Sequence, residues 1–195
     1  MGKKQKNPKH AEAIRRKEAA SLEMAKIGLK LESERSIVGF MFNHLSTSHM
    51  TYFGLNSINN LCKKYAGLDI CIFRQHIMPP CVPVLCPLFG IAELLRWDRY
   101  PLIATSMETA IHALSTNADI VYHYVFDPEF IDVPNKDTDQ IRPAFCDARI
   151  RVISRHDDHR RLIAAEFGID VHTTIVPDFD AEMLARIALT ENQNV

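Results

Sequence analysis

The chain has 195 residues, of which 47% are hydrophobic and 24% charged, with a formal net charge of −1. That is enough apolar material for one packed domain, too much for a disordered chain, and too little positive charge for the whole protein to bind nucleic acid by electrostatics. No apolar run approaches the ~20 residues that span a bilayer, and the lysine-rich start is followed by no apolar leader segment, so a cytoplasmic protein without a membrane span is expected. Cys62, Cys71, Cys81, Cys86 and Cys146 form an odd set in apolar surroundings, which predicts free buried thiols rather than a disulfide framework.

Charge divides the chain in two. Residues 1–35 hold ten Lys or Arg against five Glu, a net of +5, which leaves −6 for residues 36–195. The expected organisation is a basic, helical N-terminal arm (1–35) followed by an α/β domain (36–195). From Lys9 to Arg35 nearly every residue is a good helix former, and Ala13, Ala20, Met24, Ile27 and Leu31 make a narrow apolar seam. Such a seam needs an apolar partner: the body of the protein, another protein subunit or a second copy in a homo-oligomer. The alternative is an arm that meets nucleic-acid phosphates through Lys3–Lys17. It is disfavoured because no aromatic residues are interleaved for base stacking.

From residue 36 onward strands and helices alternate. Ser36–Phe42 is a continuous apolar run of the kind covered on both faces in a parallel sheet. The polar residues Asn43, His44, Ser46, Thr47, Ser48 and His49 follow it, before a helix expected over Leu55–Tyr65. Leu68–Phe73 reads as a strand, and the prolines at 79, 80, 83 and 87 then permit at most a short edge strand at Val82–Leu85. Cys81 and Cys86 lie near His76, but no second pair at ligand spacing accompanies them, so no metal site is expected.

Phe89–Arg96 reads as a short helical piece and Pro101–Thr105 as a strand. Thr105 with Glu108 matches a capping box opening a helix over Ser106–Leu114. Ala118–Phe126 is the next strand, in which His123 is expected to be structural. Asp127 and Glu129 stand at its carboxyl end. Residues 132–147 form a polar loop made acidic by Asp132, Asp137, Asp139 and Asp147. The last unit reads strand (Arg149–Ile153), helix capped by Ser154 and closed by Gly168, strand (Val171–Val176), and helix (Ala181–Leu189) capped by Asp180. The alternation predicts an α/β fold with a doubly wound, mostly parallel Rossmann-like sheet, whose ligands would gather outside the carboxyl ends of the strands.

The stretch VISRHDDHRRLIAAEFGID, followed by TTIVPDFDAEML, resembles the end of the N-terminal, acceptor-side domain of GT-B glycosyltransferases. There a strand and serine lead into a helix finishing in F-G, then into a strand and a proline-bearing linker to a second domain. Ile175 to Asp180 would be that linker. The glycine-rich turn that many members carry after the first strand is replaced here by NHLSTSH. The resemblance implies an acceptor-side half-domain without the donor-binding domain. It implies a nucleotide sugar as donor substrate, no other cofactor, and a partner chain or second copy to present that donor. The last helix would then fold back onto the first domain.

On this reading His44 or Asp127 would act as general base on an acceptor hydroxyl. Ser46, Thr47, His49, Glu129, Arg155 and His156 would bind substrate, with Arg155 meeting phosphate at a helix start. The competing reading is a non-catalytic structural or interaction protein that docks onto an assembly through its N-terminal helix. A nucleotide binder of another Rossmann-like class would lack its usual signature, since neither G-x-G-x-x-G nor G-x-x-x-x-G-K-[ST] occurs; a serine hydrolase would lack G-x-S-x-G.

Overall fold

The computed structural model describes residues 36–97, 100–131 and 138–192. The expected N-terminal helix, the Lys3–Lys17 arm, and Asp132 and Asp137 of the acidic loop lie outside them. The apolar runs become six strands: β1 (Ser36–Phe42), β2 (Leu68–Arg74), β3 (Leu88–Gly90), β4 (Leu102–Ala104), β5 (Val121–Val125) and β6 (Ile150–Ser154). Helices α1 (His49–Lys64), α2 (Met107–Ala113), α3 (Thr138–Ile141), α4 (Pro143–Cys146), α5 (Asp157–Phe167) and α6 (Ala181–Asn192) connect or flank them. All neighbouring strands are parallel, in the order β3-β2-β1-β4-β5-β6. This is the doubly wound, Rossmann-like α/β architecture that the alternation predicts.

Strand side chains alternate between the two faces, so two cores form. Phe40, Phe42, Ile72, Tyr122 and Tyr124 point to one face, covered by α1 and by Ala181, Leu184 and Ala188 of α6. Met41, Phe73, Val121, Val125 and Val152 point to the other, covered by Ala110 and Ala113 of α2, Phe145 of α4, and Ile163 and Phe167 of α5. Gly54 allows α1 to lie close to the sheet: a Cβ there would sit 3.1 Å from the Phe42 ring and 3.3 Å from that of Phe179. The helix after β1 thus lies on one face and the helix after β4 on the opposite face. The chain leaves two adjacent strands in opposite directions, and a crevice opens between them.

Several boundaries differ from the sequence expectation. Helix α1 starts six residues before Leu55, because Ser48 caps it: the Ser48 Oγ accepts from Thr51 N at 3.1 Å. The edge strand is Leu88–Gly90 rather than Val82–Leu85, paired with β2 from Ile72 to Arg74. It forms only past Pro87, where the segment regains the backbone N–H groups a ladder needs. The cap of α2 is Ser106, with Thr109 as its reciprocal partner, one residue beyond the Thr105–Glu108 pattern; Thr105 instead spends its hydroxyl on Met41 O at 2.8 Å. Residue 156, not Ser154, is the N-cap of α5, and Ser154 Oγ donates to His156 O at 3.2 Å. The acidic loop contains α3 and α4.

Val171–Val176 forms no strand. Only His172 N to Val152 O (2.8 Å) and Val176 N to Ser154 O (3.1 Å) reach β6, and between them Thr174 N turns to the His172 ring. The stretch Ile175–Asp180, a linker by the resemblance, is anchored in the core through Val176 and Phe179. The Phe179 ring is fully buried and lies 5.6 Å from Phe42, 6.1 Å from Phe40 and 5.2 Å from Tyr124. Its backbone N–H donates to the Tyr124 hydroxyl, which itself donates to Val176 O. Asp178 and Phe179 hold positive φ angles of 47° and 56°, a strained turn for non-glycine residues. That turn directs α6 back across the sheet, as expected for the last helix.

His123 is 2% exposed, and its Nδ1 sits 2.8 Å from Ala144 O beside the Phe145 ring. Its site is structural. All five cysteines are free, as expected, but none is buried; each is partly exposed. No helix among the described residues is long and apolar enough to cross a membrane.

Candidate ligand cleft where the strand order reverses

The carboxyl ends of β1, β4 and β5 enclose a cleft of about 400 Å³ lined by Asn43, His44, Ser48, His49, Met50, Ser106, Phe126 and Asp127. Three connections build it. After β1 the chain delivers Asn43 and His44, then caps α1 with Ser48, so the cleft receives the positive end of a 16-residue helix that has no acidic residue in its first turn. Following β4 it delivers Ser106, the cap of α2. After β5 it delivers Phe126 and Asp127.

Hydrogen bonds tie these pieces together. Ser106 Oγ donates to Asn43 Oδ1 at 2.8 Å, and Thr51 N donates to Ser48 Oγ. The segment after β2 is fastened to the same wall: Gln75 N donates to Phe42 O, His76 N to Asn43 O and Cys81 N to Leu45 O, at 3.1, 2.8 and 2.8 Å. His44 is oriented by Ser46, whose Oγ lies 2.7 Å from its Nδ1. If Nδ1 carries the proton and donates to Ser46, Nε2 is left with a free lone pair, the arrangement a general base needs.

Of the residues singled out from the sequence, His44, His49 and Asp127 share this cleft, and Ser46 supports it through His44. Thr47 is exposed and does not line it. Glu129 begins a short 3-10 turn, Glu129–Ile131, with its side chain outside the described set. Arg155, expected to meet phosphate, is occupied by carboxylates: Asp178 at 2.8 Å and Asp127 at 3.7 Å. Its guanidinium also stacks over the Phe126 ring at 4.0 Å, so it braces one wall of the cleft. His156 is exposed, its ring 5.1 Å from that of His159. Burial first, and then the neighbouring His156 and Arg155 charges, lower the His159 pKa.

Ser106 carries no signal of a site residue in the sequence. Its local signal is only that of a helix cap; that it faces Asn43 depends on β4 lying beside β1, which no local pattern encodes. Among the described residues no three His, Cys, Asp or Glu side chains are grouped as metal ligands would be. Compared with known protein families, curated proteins and solved structures, the chain shows no match.

Proposed function

We propose that this domain binds a small polyhydroxylated acceptor in the cleft at the β1/β4 reversal, as the acceptor-side half of a GT-B-like sugar transferase. The observation that supports this best is the convergence of His44, Asn43, Ser106 and Asp127 on one cleft at the end of the sheet where doubly wound folds hold ligands. Hydroxyl and amide groups suit a sugar, whose many hydroxyls both donate and accept. His44, held by Ser46, takes the proton of the attacking hydroxyl, and Asp127 lies across the cleft to accept from a neighbouring hydroxyl. The described residues form one α/β domain, so the nucleotide-sugar side of such a reaction falls to a second domain, a partner chain or a second copy.

The experiment is calorimetric titration with a panel of mono- and disaccharides and nucleotide sugars, paired with a transfer assay in extracts that supply partner proteins. Saccharide binding abolished by Asn43→Ala, and transfer abolished by His44→Ala, are the expected results. A well-folded protein that binds no saccharide at millimolar concentration sinks the reading. The second reading, a non-catalytic interaction protein, draws on apolar side chains left in solvent between residues 77 and 95: Ile77 is 84% exposed, Leu85 53% and Leu95 72%. Co-purification with a protein partner that survives Asn43→Ala and His44→Ala, without saccharide binding, favours it.

A further inference from the structure

Cys62, on the last turns of α1, lines the same cleft as Cys86, in the proline-rich segment that precedes β3. One turn before Cys62, Asn59 grips that segment with both ends of its amide: Nδ2 donates to Pro83 O at 2.7 Å and Oδ1 accepts from Leu85 N at 3.0 Å. Asn59 is only 9% exposed, and its two bonds hold the segment just before residue 86 against the helix. The two thiols, with Cys71 of β2, line a second cleft of about 470 Å³ near the amino ends of β1 and β2, beside Tyr65, Trp97 and Tyr100. All three cysteines are partly exposed, so a small oxidant reaches them.

The thiols are chemically unequal. The neighbouring Cys86 thiol brings the Cys62 pKa down to about 7 despite its partial burial, while the Cys62 sulfur and burial push Cys86 up. Burial, and next the charge of Asp69, also raise Cys71. A thiolate is the nucleophile in thiol oxidation, so Cys62 is the attacking sulfur and Cys86 the resolving one.

We propose that Cys62 and Cys86 form a redox-active dithiol that a peroxide converts reversibly into an intramolecular disulfide. The Cys62 thiolate attacks one peroxide oxygen, the O–O bond breaks, and hydroxide leaves and takes a proton to become water. The Cys62 sulfenic acid is then attacked by the Cys86 sulfur; the S–S bond forms, the S–O bond breaks, and the Cys86 proton leaves with the oxygen as a second water. Two thiols are oxidised and one peroxide is reduced. The bond joins α1 to the segment at the point where the Asn59 clamp already fixes it, and it is independent of what the other cleft binds.

The reduced full-length chain, freed of reductant, is treated with hydrogen peroxide and digested without reduction. The expected result is a mass loss of two hydrogens, a single linked peptide pair joining Cys62 to Cys86, and recovery of both thiols with dithiothreitol. Cys86→Ser is expected to stop at a Cys62 sulfenic acid trapped by dimedone, and Cys62→Ser to lose the rapid reaction. Peptide mapping of the unmodified sequence decides the matter even if a variant folds poorly. Linkage of Cys86 to Cys71, pairs scattered among the five cysteines, chains cross-linked to one another, or sulfinic acid without any linked pair would each overturn the proposal.

Discussion

Ser106 Oγ donates to Asn43 Oδ1 at 2.8 Å, joining the ends of β1 and β4 across the point where the strand order reverses. The same oxygen accepts from Thr109 N and caps α2. One hydroxyl therefore fixes a helix start and a cleft wall together. Ser106→Ala is expected to cost about 1 kcal/mol, the usual worth of an N-cap, and to weaken any ligand held by Asn43. Urea midpoints give the first quantity and calorimetry the second; an unshifted midpoint would show that the capping box carries no weight here.

Phe179 sits among Phe40, Phe42 and Tyr124 with no exposure to solvent. Truncating a buried aromatic removes transfer free energy and leaves a cavity, so Phe179→Ala is expected to destabilise the domain by ~3–5 kcal/mol. A flexible linker would respond differently. Were the segment 177–180 a hinge, the same substitution would leave the urea midpoint unchanged.

His123 supplies a pH signature. Burial, only partly offset by its bond to Ala144 O, lowers its pKa to about 4 in the folded chain, against an ordinary 6.5. Between these values the unfolded state binds the extra proton and the folded state does not, so folding stability rises with pH across this window. The contribution is fully present above about pH 6.5 and is lost as pH falls toward 4; its size is on the order of 3 kcal/mol. Stability measured by urea at a series of pH values should show this slope, and His123→Gln should flatten it. A slope that survives in His123→Gln would assign it to other groups.

Arg155 tests the cleft wall. It joins Asp178 and Asp127 while covering Phe126, with 22% of its side chain exposed. Arg155→Lys keeps the charge but loses the planar fork that stacks on the ring and spans both carboxylates. A loss of about 1 kcal/mol or more is expected, together with weaker ligand binding next to Asp127. If Arg155→Lys matches the parent in both measurements, a point charge suffices there.

The elements that were legible in the sequence are those whose signal is local. Ser36–Phe42 is apolar because both its faces are covered, and Gly168 marks a helix end because the chain turns left-handed there, at φ 66°. The errors share a cause as well. Val171–Val176 has the composition of a strand, yet a strand needs a partner edge along its length, and this segment meets β6 at only two hydrogen bonds. Ile175–Asp180 is a linker only by the resemblance to the GT-B domain end; where its aromatic goes is decided by the gap above Phe42 and Tyr124.

The site divides along the same line. That His44, His49 and Asp127 follow strands, and so stand at the ligand-binding end of a doubly wound sheet, was contained in the alternation of the chain. Which of these polar groups meet was not. Strand order is a tertiary property: it puts β4 beside β1 and β5 next, so Ser106 and Asp127 face Asn43 and His44 while Arg155, one strand further out, is drawn to Asp178. Hydrophobic periodicity and helix caps act over a few residues and are written in the sequence; the sharing of hydrogen bonds between residues 43 and 106 exists only once the sheet has assembled.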